Sequence, residues 1–161
     1  METQSKTMLR IAGIVKESVC DGPGIRFVVF VQGCARQCEG CHNPHTHDPG
    51  GGYEIAIAEI LAMIDANPLL DGVTFSGGEP FLQADALAEL AMECHSRGLS
   101  VMTYTSYLYE DIIADRENAA WQALLCHTDI LVDGPYLREK VSPNIPFRGS
   151  SNQRILELKS M

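Results

Sequence analysis

The stretch RFVVFVQGCARQCEGCHNP, residues 26–44, begins as an apolar run and ends in a loop that holds three cysteines, Cys34, Cys38 and Cys41. An apolar run without alternation is typical of a strand that is covered on both faces. In parallel α/β proteins, loops after the carboxyl ends of strands build the functional site. The stretch therefore predicts a buried strand that delivers a cysteine-rich loop to one edge of a sheet.

Further strand-like runs lie on both sides of this stretch and alternate with segments of helical period. The runs are RIAGIV (residues 10–15), GVTFS (72–76), LSVMTYT (99–105), DILVDG (129–134) and RILEL (154–158). Alternating strands and helices predict an α/β fold with a parallel sheet. We expect an open, partial (β/α) barrel of about five or six mostly parallel strands, in a single domain that covers residues 1–161.

Two segments between the strands carry apolar stripes at helical spacing. The stripes consist of Ile57, Ile60, Leu61 and Ile64 in the first segment, and of Leu87, Leu90, Ala91 and Cys94 in the second. Gly98 follows the second stripe, where a glycine is a natural helix stop. Both segments are predicted to be helices packed on the sheet.

Glycine-rich loops follow several of the predicted strands. They are CDGPG (Cys20–Gly24), SGGEP (Ser76–Pro80) and DGP (Asp133–Pro135). Because loops that follow parallel strands meet at one edge of the sheet, we expect all three to converge on the cysteine loop.

The composition excludes several classes of protein. A net charge of −9 and a pI near 4.9 argue against a nucleic-acid-binding protein, which neutralises phosphates with Lys and Arg. No apolar run approaches the roughly 20 residues that cross a bilayer, and residues 1–6 do not resemble a signal peptide. We therefore expect a cytoplasmic protein without a membrane partner. Six cysteines in a reducing compartment indicate metal ligands or redox groups rather than disulfides.

The cysteine spacing C-x3-C-x2-C admits two metals. Three thiolates on a tight loop can bind three irons of a [4Fe–4S] cluster and leave the fourth iron open. A structural zinc site is the alternative, with His42, His45 or His47 as a fourth ligand. Zinc ligands usually come as two separated pairs, so the spacing favours iron and sulfur without excluding zinc.

The cysteine motif followed by Gly77-Gly78-Glu79-Pro80 resembles the radical S-adenosylmethionine superfamily. The resemblance implies that Cys34, Cys38 and Cys41 bind a [4Fe–4S] cluster whose open iron binds S-adenosylmethionine. It also implies that Gly77, Gly78 and Glu79 contact this cofactor, which is cleaved to a 5′-deoxyadenosyl radical. Glycines suit such a contact, because no Cβ atom keeps the main chain from a ligand.

The resemblance assigns further residues to the cofactor. Gly40 occupies a position that is usually aromatic in the superfamily, so the main chain of Gly40, Cys41 and His42 is expected to contact the cofactor. Thr105, at the end of a predicted strand, resembles a cofactor-facing position. Asp133 ends another predicted strand, where its carboxylate could face the S-adenosylmethionine site or bind a cation, and it could equally cap the next segment.

Other stretches resemble one branch of the superfamily. DGPGIRFVVFVQGC (residues 21–34) and CHNP (41–44) are similar to the activating enzymes of glycyl radical enzymes. DILVDGPY (129–136) and FRGSSNQRI (147–155) resemble the branch that activates anaerobic ribonucleoside-triphosphate reductase, although Cys20 and Phe147 replace an aliphatic residue and a tryptophan. The resemblance implies an oxidoreductase that takes this reductase as its protein partner and an electron donor such as flavodoxin.

Three alternatives remain at this stage. The chain could activate another glycyl radical enzyme, such as pyruvate formate-lyase, or act as a radical enzyme on a small molecule such as a deazapurine precursor. A zinc-stabilised binding module belongs to a different class. The segment Arg148–Gln153 could close the edge of the sheet or contact the reductase.

The remaining cysteines are expected to be structural. Cys94 lies on an apolar stripe and Cys126 follows two leucines, so both are predicted to be buried. Cys20 is predicted to pack inside the protein rather than to line the cofactor pocket.

Overall fold

The structure, a computed structural model, describes residues 7–33, 48, 50–135, 147–148 and 152–158. Seven strands of these residues form one open sheet in the order β3-β1-β2-β4-β5-β6-β7. The strands are β1 Met8–Ser18, β2 Arg26–Val31, β3 Tyr53–Ala56, β4 Gly72–Gly77, β5 Ser100–Tyr104, β6 Ile130–Asp133 and β7 Arg154–Glu157.

Four α-helices and one short 3₁₀ helix connect the strands within the described residues. The α-helices are α1 Ile57–Asp65, α2 Ala84–Ser96, α3 Tyr109–Ala114 and α4 Ala119–Cys126, and the 3₁₀ helix is Pro80–Gln83. None of the helices in this part of the chain is long and apolar enough to cross a membrane.

The centre of the sheet is parallel and its two sides are antiparallel. Strands β2, β4, β5 and β6 pair in parallel, β1 pairs antiparallel with β2 and β3, and β7 pairs antiparallel with β6. All six predicted runs form strands, and the predicted open α/β sheet is confirmed. Strand β3 was not predicted; it has four residues and lies at the edge, where Tyr53 and Glu54 are exposed.

The core lies between the sheet and the helices. Alternate residues of the central strands, such as Val29, Phe75 and Leu131, pack there against the helices. Every residue of the two predicted stripes on α1 and α2 is buried, so both helix predictions are confirmed. Gly98 adopts a φ of +76° just after α2, in the left-handed region that favours glycine at a helix end.

Arg26 is a buried side chain on the opposite face of the sheet, at the start of β2. Its guanidinium donates to the carbonyl oxygens of Pro23 (3.0 Å), Val73 (2.8 Å) and Ser100 (3.1 Å) and to two hydroxyl groups. Burial lowers the pKa of Arg26. Because these acceptors lie where β4 and β5 begin, Arg26 joins the CDGPG loop to the amino edge of the sheet.

The expectation that CDGPG converges on the cysteine loop is wrong. The strand before CDGPG, β1, runs antiparallel to β2, so this loop leads into the amino end of the parallel strands. The Ile25 N–H donates to the Asp71 carboxylate (2.8 Å), and the Thr74 hydroxyl donates to the Asp21 carbonyl (2.8 Å). The SGGEP and DGP loops follow parallel strands and lie at the carboxyl edge, as predicted.

Candidate active site at the carboxyl edge of the sheet

The carboxyl edge of the parallel strands brings together Gly33, Glu79, Thr105 and Asp133. Gly33 is the last described residue before Cys34, and its carbonyl accepts a hydrogen bond from the Glu79 N–H (2.7 Å). The predicted residues Cys34, Cys38, Gly40, Cys41 and His42, like His45 and His47, lie outside the described residues. The structure thus fixes the point from which the cysteine loop starts, beside the Gly-Gly-Glu-Pro turn.

Position 77 requires a glycine because the main chain of the neighbouring strand β2 lies very close to it. Its φ is +96°, and a Cβ atom at this position would lie 2.6 Å from both the N and the O atom of Val31. The next N–H, of Gly78, donates to the Val31 carbonyl (2.8 Å). The close approach that needs a glycine here is therefore made by the main chain of β2, which leads directly into the cysteine loop.

The Glu79 carboxylate is buried and joins the ends of β4 and β5. One oxygen accepts hydrogen bonds from the Ser106 N–H (2.7 Å) and hydroxyl (2.6 Å), and the other from the Phe81 N–H (3.0 Å) and the Thr105 hydroxyl (2.8 Å). Burial raises the pKa of Glu79, and these four donors oppose the shift. The side chains of Glu79 and Thr105 thus contact each other, and sequence reasoning missed Ser106.

Asp133 is fully buried at the end of β6. Its carboxylate accepts hydrogen bonds from the Tyr109 N–H at the start of α3 (2.7 Å) and from the Arg154 guanidinium (2.9 Å from Nε). Arg154 also binds Glu110, which lowers the pKa of that carboxyl to about 2. Asp133 thus binds the first N–H of α3, a helix that precedes it in the chain, rather than the next segment that the sequence suggested.

Asn152 and Gln153, at the end of the predicted Arg148–Gln153 turn, lie against the DGP loop. The side-chain amide of Gln153 donates to the Gly134 carbonyl (2.9 Å), and that of Asn152 donates to the Pro135 carbonyl (2.8 Å). The Gly134 N–H in turn donates to the Tyr107 carbonyl, after β5 (3.0 Å). Asn152 and Gln153 therefore connect the residues just before β7 to the carboxyl edge of the sheet.

The described residues offer no alternative metal site to that predicted in the cysteine loop. In this part of the chain, no group of three His, Cys, Asp or Glu side chains could hold a metal ion. The thiolates of Cys34, Cys38 and Cys41 in the sequence are a suitable donor set for an iron–sulfur cluster. The chemistry of the available donors therefore fits this cofactor.

The three cysteines outside the cluster motif differ in exposure. Cys94 is buried, as predicted, and burial raises the pKa of its thiol to about 12. Cys126 is exposed, so the prediction of burial is wrong; it ends α4, a short helix in which only Leu124 is buried. Cys20 is also exposed, contrary to the packing role, with its sulfur 3.5 Å from the Ser18 hydroxyl.

The open α/β sheet places Gly33, which directly precedes the three-cysteine motif, against the glycine-rich turn, as expected for the predicted iron–sulfur protein. The 4Fe-4S single cluster domain family matches residues 20–156, and the chain belongs to this family. It is 33% identical over 147 residues to the anaerobic ribonucleoside-triphosphate reductase-activating protein of Vibrio cholerae, with 85% of this chain and 90% of that protein covered.

A second relative has a different partner in its name. The chain is 37% identical over 131 residues to the pyruvate formate-lyase-activating enzyme of Clostridium pasteurianum, with 78% of this chain covered. It spans only about half (51%) of that longer protein. Among solved structures, QueE from Escherichia coli is similar with a TM-score of 0.49 and 20% identity, over 62% of this chain and 52% of that one.

The matched family and the names of the relatives confirm the predicted class, an iron–sulfur activating enzyme of the radical S-adenosylmethionine type. The relatives are activating enzymes, and the matched family binds a [4Fe–4S] cluster, which supports the predicted pairing of this cluster with S-adenosylmethionine. The same match favours iron and sulfur over the zinc alternative.

Proposed function

We propose that the chain activates anaerobic ribonucleoside-triphosphate reductase by generating a glycyl radical on it. The contact of Asn152 and Gln153 with the DGP loop carries the proposal, because these residues belong to the two stretches that resemble the reductase-activating branch. The long match to the Vibrio cholerae protein supports the same choice.

The proposed reaction uses a [4Fe–4S] cluster held by Cys34, Cys38 and Cys41. When bound, the cluster would pass one electron from the external donor to S-adenosylmethionine, which would split into methionine and a 5′-deoxyadenosyl radical. Transfer of a hydrogen atom from a glycine of the partner would leave 5′-deoxyadenosine and the glycyl radical. The protein contributes binding and orientation. Its described residues achieve this by fixing Gly33, at the start of the cysteine loop, to the Glu79 N–H.

The cofactor-binding residues divide into two groups under this proposal. The main chain of Gly77 and Gly78 and that of Gly40, Cys41 and His42 contact S-adenosylmethionine. The side chains of Glu79, Thr105 and Asp133 hold the strand ends that carry these contacts, because each is engaged in hydrogen bonds within the protein. We place the reaction in the cytoplasm, with a flavodoxin as electron donor.

Activation of pyruvate formate-lyase is the second candidate function. The 37% identity to the Clostridium pasteurianum enzyme favours it, although this match covers about half of that protein. Both candidates need the same cluster and cofactor, so only the partner protein separates them.

Electron paramagnetic resonance on a mixture of the two proteins tests the partner. The anaerobically reconstituted chain, with reductant and S-adenosylmethionine, is expected to produce a glycyl radical signal when anaerobic ribonucleoside-triphosphate reductase is added. The physical reason is that the radical moves from the cofactor to a glycine that the partner places beside it. Formation of 5′-deoxyadenosine, measured by chromatography, reports the cofactor cleavage separately.

Two controls make the outcome specific. A reductase whose C-terminal glycine is replaced by alanine is expected to give no signal. A signal on pyruvate formate-lyase, without one on the reductase, would contradict the proposed partner and support the second candidate. A colourless preparation that contains zinc without iron or sulfide would overturn both.

A further inference from the structure

The two ends of the segment that carries the cysteines are held at one place in the structure. Before this segment, the Gly33 carbonyl is bound by the Glu79 N–H (2.7 Å). After it, the Asp48 carbonyl is bound by the side-chain amide of Gln32 (2.8 Å) and by the Gly51 N–H (3.0 Å). The Gln32 side chain therefore joins the two ends of the segment 34–47.

The Gln32 residue is itself fixed on the sheet. It is 5% exposed, and its main-chain N–H donates to the Arg10 carbonyl on β1 (3.0 Å). The amide of Gln83 donates both to the Gln32 carbonyl (3.2 Å) and to the Arg10 carbonyl (2.8 Å), while its oxygen accepts from the Arg10 N–H (2.9 Å). Gln83 is the last residue of the 3₁₀ helix that begins at Pro80 of Gly-Gly-Glu-Pro. Its hydrogen bond to Gln32 therefore connects this motif to the residues that precede the cysteine motif.

The residues that follow the segment leave room for the Gln32 side chain. The Arg10 guanidinium donates to the Gly51 carbonyl (2.8 Å). A Cβ atom on Gly51 would lie 2.6 Å from Nε2 of Gln32, and one on Gly52 would lie 2.2 Å from the Ile11 carbonyl oxygen. Glycine at position 51 thus leaves the space that the Gln32 amide needs.

We propose that Gln32 is a positioning residue that closes the cluster-binding loop at its base before the cluster binds. Gln83, Arg10 and Asp48 complete this unit, which we name the loop clamp. The proposal rests on the proposed function, because it takes Cys34, Cys38 and Cys41 as the cluster ligands.

The physical reason is the entropy of loop closure. When the two ends of a chain segment are already held together, less entropy is lost as three cysteines within it converge on one cluster. The loop clamp consists of hydrogen bonds within the protein and needs no metal. It should therefore slow the loss of iron from the loaded protein by keeping the ligands close after one of them dissociates.

The replacement Gln32→Met tests the proposal, because it keeps the length of the side chain and removes the amide. Release of iron to a chelator, followed by absorbance under anaerobic conditions, is expected to be about three- to tenfold faster, as the loss of one buried hydrogen bond implies. Gln122→Met is the matched control. The Gln122 amide also donates to a main-chain carbonyl, that of Ile112 (2.8 Å), but neither residue belongs to the loop clamp. Its iron release should stay at the wild-type rate.

The replacement Gly51→Ala disturbs the same contact, between the Gln32 amide and the Asp48 carbonyl, without changing Gln32. The added Cβ atom displaces the Gln32 amide, and iron release is expected to accelerate as in Gln32→Met. Gly50→Ala is its control, because a Cβ atom at Gly50 meets only an Asp48 carboxylate oxygen, at 3.5 Å. Hydrogen exchange of the main-chain N–H of residue 51 in the cluster-free protein, corrected for the intrinsic rate of the residue present, should be faster in both test variants.

The results separate this proposal from the proposed function. Wild-type protein that binds no iron–sulfur cluster would overturn both. A cluster that is released at the same rate from wild type, Gln32→Met and Gly51→Ala would overturn the loop clamp alone. Equal acceleration in Gln122→Met would also overturn it, because the effect would then follow from general stability.

Discussion

Replacing Cys38 by alanine is expected to abolish cluster binding and the cleavage of S-adenosylmethionine. Two thiolates cannot replace three as ligands of a cluster that keeps one iron open. Mutation of residues that only hydrogen-bond the ligands of a metal site lowers metal affinity or activity roughly 10–100-fold. Loss of a direct ligand should therefore lower both cluster binding and activity by more than about 100-fold. Iron and sulfide analysis after anaerobic reconstitution, and chromatography of 5′-deoxyadenosine, measure the two effects.

Cys126→Ala is the matched control for this replacement. Cys126 is an exposed thiol at the end of α4, so its removal changes the cysteine content without opening a cavity. The control should bind iron and form 5′-deoxyadenosine as the wild type does. If Cys38→Ala did the same, the assignment of Cys38 as a ligand would be wrong.

The replacement Glu79→Gln is expected to destabilise the protein by about 2 kcal/mol, in spite of removing a buried charge. Each carboxylate oxygen accepts from one main-chain N–H and one hydroxyl, of Ser106 on one side and of Phe81 and Thr105 on the other. In either orientation, the glutamine NH₂ group therefore faces a buried N–H that has lost its acceptor. Urea unfolding of the cluster-free protein measures the change.

Two other variants calibrate this result. Glu59→Gln changes an exposed carboxylate on α1 and should alter the free energy of unfolding by less than about 0.5 kcal/mol. Thr105→Val removes one of the four donors and also the acceptor of the Tyr107 N–H (3.1 Å), so it should cost about 1.5 kcal/mol. A Glu79→Gln protein more stable than the wild type would show that the cost of burying the charge, rather than the four hydrogen bonds, dominates at this site.

The strands, the two main helices and the end of α2 could be predicted because their signals are local. Apolar runs predict buried strands, the stripes of α1 and α2 repeat at helical spacing, and Gly98 ends a helix by its own conformation. The cysteine motif and Gly-Gly-Glu-Pro were each recognisable from their own residues. The structure places Gly33, which precedes the first motif, in direct contact with Glu79 of the second.

The remaining features depend on contacts between distant parts of the chain. The antiparallel direction of β1, which moves CDGPG to the amino edge, cannot be read from a strand's own residues. The close approach of the Val31 main chain to Gly77 cannot be read from the sequence either, because the two residues are far apart along the chain. The burial of a cysteine also depends on its helix: α2 buries Cys94, whereas the shorter α4 leaves Cys126 exposed.

The long-range bonds of the loop clamp have a consequence for the order of assembly. Arg10 and Gln83 are 73 residues apart, and their contact forms only when β1 and the turn after β4 have met in the folded sheet. In zinc fingers, metal binding and folding occur together. Here we expect the chain to fold first and to receive its cofactor afterwards, so cluster-free protein should already show native-like circular dichroism and cooperative unfolding.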